Sequence, residues 1–99
     1  MITFTELLKR TKKEQIAIHT ANEEQAKGLL KALDEKKFRW NSGEKLTDKT
    51  YYEYDRKNTC YVFGIDFDGN LLNKSVFYGS LSFYQKEGYT IIDFKDIDF

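Results

Sequence analysis

Ala26, Leu29, Leu30 and Leu33 recur at i, i+3, i+4 and i+7, the spacing of one face of a helix, and a short apolar run lies on each side of that segment. A helix with a single apolar stripe must lay it on something. Ile16-Ala17-Ile18-His19 before it and Phe38-Arg39-Trp40 after it read as the strands that supply the surface. Thr20-Ala21-Asn22 turns the chain into the helix, with Asn22 and Gln25 as a cap pair and Glu23 and Glu24 in the first turn. Gly28 weakens the helix and permits close approach to a strand. The order strand–helix–strand commits the chain to a layered fold.

The remaining segments extend that framework. Thr3 and Glu6 form a capping box, Ile2 and Leu7 stand where a hydrophobic staple belongs, and Phe4, Leu7 and Leu8 give a first short helix its stripe. Residues 41–49 read as a loop. Tyr51-Tyr52-Glu53-Tyr54 reads as the start of a strand with imperfect alternation, and Arg56-Lys57-Asn58 as a turn. Residues 60–67 and 71–78 are two strands joined by Asp68-Gly69-Asn70, strong hairpin chemistry. Ser80 caps a short helix over 81–87, Gly88 stops it, and 89–94 is the last strand, followed by a tail that either frays or makes one more edge contact. The prediction is a single compact α+β domain over residues 1–99. Its sheet is small, mixed and mostly antiparallel, of four to five strands, with two main helices and one short helix.

Composition narrows the function. At 99 residues, 40% hydrophobic and 32% charged, the chain is neither disordered nor in need of disulfides or metal to hold a core. No apolar run approaches the roughly 18 residues of a membrane span. Met1-Ile2-Thr3-Phe4 shows no signal peptide, and the lone Cys60 fits a reducing compartment, so a cytoplasmic protein is expected. Zero net charge argues against a general nucleic-acid binder. The two halves differ, however: residues 1–50 hold eleven Lys and Arg against eight acids, and residues 51–99 hold five against eight.

Thirteen of the sixteen aromatic residues also fall in that acidic half, between Tyr51 and Phe99, more than a core of this size requires. Tyrosine combines a rigid apolar body with a polar tip, so the surplus suits a contact surface. Tyr51, Tyr52 and Tyr54, with Asp66 and Asp68, are the candidate partner-binding residues. A second candidate is a small-ligand pocket. His19 ends a strand before a helix N-terminus, and Arg39, Trp40, Asn41 and Ser42 place a stacking face beside hydrogen-bonding groups. Tyr51, Tyr52 or Tyr78 would supply the other wall. Each set also has a plainer reading, as a satisfied histidine, a core tryptophan and ordinary loop residues. The run Lys9-Arg10-Thr11-Lys12-Lys13 is either a nucleic-acid stripe or the solvated end of a helix. Residues 66–70 have the acids of a calcium loop without its glycine and glutamate spacing, so a turn is the better reading. No metal site, cofactor motif or catalytic set is legible.

Ile16-Ala17-Ile18-His19-Thr20, Glu23-Glu24-Gln25-Ala26, Leu29-Leu30, Phe38-Arg39-Trp40 and Ser42-Gly43 together resemble a recurring group of small accessory proteins of phages and prophages of Gram-positive bacteria. Asn58-Thr59-Cys60-Tyr61, Tyr78-Gly79-Ser80-Leu81, Tyr84 and the stretch from Glu87-Gly88-Tyr89 to Asp93-Phe94 resemble the same group. These motifs are structural and the group has no assigned activity, so no catalytic residues carry over. The resemblance implies a context, that of non-enzymatic proteins that disarm a host defence system. Two mechanisms are expected to compete: docking on a host defence protein through the acidic tyrosine-rich face, or sequestering a nucleotide second messenger in the His19–Trp40 pocket. The alternative is a nucleic-acid-binding accessory factor for phage replication or transcription, using Lys9, Arg10, Lys12 and Lys13. An edge strand in so small a sheet also leaves a homodimer open.

Overall fold

The computed structural model describes residues 1–66 and 68–99. Strand β1 (Ile2–Thr3) runs directly into helix α1 (Phe4–Arg10), whose first turn is capped by Thr3 Oγ1 accepting from the Glu6 amide at 3.1 Å. Strand β2 (Ile16–Thr20) follows, then helix α2 (Glu23–Glu35), where Asn22 Oδ1 accepts from the Gln25 amide at 2.9 Å and Gln25 Oε1 reaches back to the Ala21 amide at 2.8 Å. Each cap satisfies amides that the helix leaves without partners. Strand β3 (Arg39–Trp40) is short. After it come a 3-10 turn (Leu46–Asp48), the single-turn helix α3 (Tyr52–Asp55) and a second 3-10 turn (Arg56–Asn58). Strands β4 (Thr59–Ile65) and β5 (Leu71–Ser80), helix α4 (Leu81–Lys86), strand β6 (Thr90–Asp93) and strand β7 (Ile97–Asp98) complete the chain.

Five strands form one mixed sheet in the order β3-β5-β4-β2-β6. The two long ladders, β2 with β4 and β4 with β5, are antiparallel, and the outer pairs β2–β6 and β3–β5 are parallel. The chain is thus α+β, as its pattern predicts. The tail does not fray: β7 pairs in parallel with β1 as a separate two-stranded sheet.

Alternation along the strands sends side chains to two faces. On one face Ile16, Ile18, Tyr61, Phe63 and Val76 meet Leu7, Leu29, Leu30 and Leu33 from α1 and α2. Burial of such a leucine contributes about 2 kcal/mol. Gly28 earns its place on this face, because a Cβ there would stand 3.2 Å from the Phe94 ring. On the other face Ala17, Cys60 and Val62 lie under Tyr84 of α4 and Tyr89. Cys60 is fully buried and behaves as a small core residue.

Two expectations need correction. Tyr51-Tyr52-Glu53-Tyr54 is not a strand but the left-handed Tyr51 (φ +56°) followed by α3. The segment 45–49 is not simply a loop, since Leu46 is fully buried in the core. The strand expected over 60–67 spans Thr59–Ile65, and Phe67 lies outside the described residues.

Candidate functional site

The helical turn at α3 is imposed by side chains from outside the segment. Trp40 is buried beneath it and its Nε1–H donates to the Lys49 carbonyl at 3.1 Å, while the Tyr61 hydroxyl donates to the Thr50 carbonyl. Thr50 Oγ1 in turn accepts from the Tyr52 amide at 3.2 Å. With two consecutive carbonyls held by core side chains, segment 49–52 has little left to offer a sheet ladder and turns instead. A non-glycine residue at positive φ costs about 1–3 kcal/mol and persists only where its surroundings over-determine it. Tyr51 is held in that way.

The consequence is a tyrosine cluster. Tyr51 and Tyr78 are stacked at 4.4 Å between centroids with planes 5° apart, and Tyr54 lies 5.9 Å from Tyr78 and 6.2 Å from Tyr51 at shallow angles. Trp40 meets Tyr51 edge-on at 4.8 Å and Tyr78 edge-on at 6.1 Å, so the outer rings rest on a buried one. Lys49 Nζ stands 4.8 Å from the Tyr51 centroid, a cation–π contact. Tyr54 is 62% exposed and Tyr78 38%.

Phe77 and Tyr78 are consecutive on β5, so they point to opposite faces of the sheet. The neighbouring β3 pairs only with Ser75 and Val76 of β5, which leaves residues 77–80 as an open edge among the described residues. On the far face, Phe77 joins Leu72, Phe83, Tyr84 and Tyr89 in a groove of about 290 Å³, with Asp66 and Tyr78 also in its lining. Among the described residues Asp66 is the groove's one charged side chain. Its Oδ1 accepts from the Asp68 and Asn70 amides at 2.9 and 2.8 Å, which closes the β4–β5 turn. Those donors, Asn70 first, hold its carboxyl below the usual carboxylate range. An aromatic surface therefore wraps around the edge of β5 from the tyrosine cluster to an acidic end.

The expected ligand pocket is not brought together. His19 pairs in register with Cys60 on the α4 face, whereas Trp40 pairs with Val76 on the α2 face, three strands away, roughly 14 Å at ordinary strand spacing. His19 acts as a brace: Nδ1 lies 2.8 Å from Asp93 Oδ1 and Nε2 lies 2.6 Å from the Lys57 carbonyl oxygen. Arg39 bridges Asp34 at 2.9 Å. Asn41 donates its amide to the Val76 carbonyl at 3.3 Å, and Ser42 hydrogen-bonds Glu44 within the tight turn that Gly43 (φ +91°) completes. Of that set only Trp40 and Tyr78 meet. Among the partner-binding candidates Tyr51 and Tyr54 join Tyr78, Tyr52 packs half-buried against the core, and Asp68 sits exposed in the β4–β5 turn.

Arg10 is engaged by Glu14 through two hydrogen bonds of 2.9 and 3.0 Å, which breaks the basic run after α1. Among the described residues no group of three or more His, Cys, Asp or Glu side chains is placed to hold a metal ion, and no helix is long and apolar enough to cross a membrane. Phe77, Phe83 and Lys49 belong to the surface although the sequence did not single them out. The adjacent aromatics at 77 and 78, destined for opposite faces of one strand, were the available signal. Comparison with protein-family models, curated proteins and solved structures finds no match.

Proposed function

We propose that the protein is a non-enzymatic binding protein of phage type that acts in the host cytoplasm and inhibits a bacterial defence system by docking on an immune effector. The observation that carries this reading is the aromatic surface around the open edge of β5. Tyr54 and Tyr78 are exposed and stacked over a buried Trp40, and Phe77 and Phe83, 37% and 44% exposed, face the adjoining groove. Rigid aromatic anchors of this kind dominate protein interfaces, each worth about 2 kcal/mol or more when truncated. An apolar groove with one carboxylate, Asp66, suits a partner segment that combines apolar and basic side chains. Docking is favoured over nucleotide sequestration because His19 stands apart from Trp40, and the side chains of Arg39 and Ser42 are engaged by Asp34 and Glu44.

The test is phage plating on bacteria that carry one defined defence system at a time, with and without this protein expressed. Restored plating against at least one system is expected. Tyr54→Ala combined with Phe83→Ser should abolish the effect while the variant keeps its circular dichroism spectrum, since neither side chain belongs to the buried core. A folded double variant that protects phage as well as the parent refutes the surface, and failure to restore plating on any system refutes the reading.

A further inference from the structure

A second concavity lies away from the tyrosines, between the end of α1, the end of α2 and the start of β5. Its volume is about 460 Å³, within the roughly 300–1,000 Å³ of small-molecule sites. Leu8, Phe38 and Leu71 give it apolar walls, and Lys12, Lys36 and Lys74 stand around them. Among the described residues no carboxylate lines it.

The cavity exists because β5 buckles there. Asn73 and Lys74 both take left-handed φ values, +46° and +67°, and the ladder with β4 slips between Phe63 and Ile65 around Gly64. A bulge of this kind re-aims a side chain. Here it aims Lys74, whose Nζ donates to the Lys36 carbonyl at 2.8 Å and lies 5.7 Å from the Phe38 centroid. An ammonium carries three donors, so two remain.

Lysines near helix C-termini have an ordinary role in offsetting the macrodipole. Each helix end supplies about half a negative charge, however, so two ends leave three ammoniums with a surplus of about two. The two arginines in ion pairs, Arg10 and Arg39, each meet a carboxylate, and these three lysines meet none among the described residues. Three like charges drawn from three elements around an apolar floor are best offset by an anion.

We propose that this cavity binds an organic anion with a flat apolar body, of the nucleoside monophosphate class. The ring system lies against Phe38 and Leu71, and the phosphate takes the free donors of Lys74 with Lys12 and Lys36. The site is independent of the docking surface.

Titration of the isotope-labelled protein with AMP, GMP, CMP and UMP, followed by amide resonances, tests it. The expected result is saturable shifts at Leu8, Thr11, Phe38, Gly64 and Lys74 with at least one nucleotide. Inorganic phosphate and the free nucleoside should each bind at least tenfold more weakly. The folded variant Lys12→Gln/Lys36→Gln/Lys74→Gln should lose at least tenfold in affinity, and Tyr54→Ala should leave the titration unchanged. No saturable shift with any of the four, shifts centred on Tyr51 and Tyr78, or shifts that survive the triple substitution would overturn the proposal.

Discussion

Raising the pH should unfold this protein in a defined way. Burial pushes the Cys60 thiol up to about 12 and the Tyr89 hydroxyl up to about 12, and it raises Tyr61 and Tyr84 as well. In an unfolded chain the thiol ionises near about 8.5 and the phenols near about 10. The folded state therefore keeps protons that the unfolded state releases, so stability is intact below the unfolded values and falls as pH climbs toward the folded ones. Each such group costs about 1.4 kcal/mol per pH unit within its window. From about pH 8.5 to 10 only Cys60 acts, a loss of about 2 kcal/mol. Above about pH 10 all four act, and the slope steepens to about 5 kcal/mol per unit, so the summed loss reaches roughly 12 kcal/mol at about pH 12, most of the 5–15 kcal/mol range of a small domain. Circular dichroism and tyrosinate absorbance followed together should show some phenols ionising smoothly and the rest in one step that coincides with loss of structure. Cys60→Ala should flatten the lower part of the curve. If all seven tyrosines titrate as one population near about pH 10 while the fold survives to about pH 12, the reasoning fails.

Other perturbations separate the roles of individual side chains. Thr59 Oγ1 is buried without a hydrogen-bond partner among the described residues, whereas Thr20 Oγ1 donates to the Thr59 carbonyl at 3.0 Å. Urea denaturation should therefore show Thr59→Val gaining about 1 kcal/mol and Thr20→Val losing about 1 kcal/mol. Gly64→Ala would place a Cβ 2.2 Å from the Thr11 carbonyl oxygen at φ +119°, and a loss of about 3–5 kcal/mol is expected in the same assay. Equal stability would show that the strand relaxes there freely. His19→Ala removes the brace between Asp93 and the Lys57 carbonyl; a loss of about 1–3 kcal/mol with faster amide exchange at residues 56–58 is expected, and unchanged exchange there would dismiss the brace.

The readable parts of this fold are those whose signals are local. Asn22 and Gln25, Ser80, the Asp68-Gly69-Asn70 turn and the leucine stripe of α2 each announce a structure that a few neighbouring residues can build, and each is present. The segment at Tyr51 was misread because its conformation is set from outside, by Trp40 and Tyr61 holding the carbonyls before it. For the same reason the pocket expected around His19 and Trp40 does not assemble. Trp40 ends β3 and His19 lies one residue from the end of β2, but strand order decides which ends are neighbours, and β5 and β4 stand between them. Tyrosine enrichment singles out Tyr51, Tyr52 and Tyr54 as a contact surface but leaves out Tyr78, on which Tyr51 and Tyr54 stack. It carried no information about Phe77 and Phe83, because the open edge of β5 follows from the brevity of β3.

The position of β2 has a further consequence, for the order of events during synthesis. Its two neighbours are β4 and β6, and its pairing with β6 joins residues 74 positions apart in the chain. Contacts so distant in sequence make folding slow relative to helical proteins of the same size. While the chain emerges from the ribosome, α2 can form early, but the strand it must cover has no completed sheet around it until Thr90–Asp93 has been made. Until then Ile16, Ile18 and the leucines of α2 are available to chaperones and to aggregation, and the yield of folded protein should respond more to substitutions in β6 than the modest length of that strand suggests.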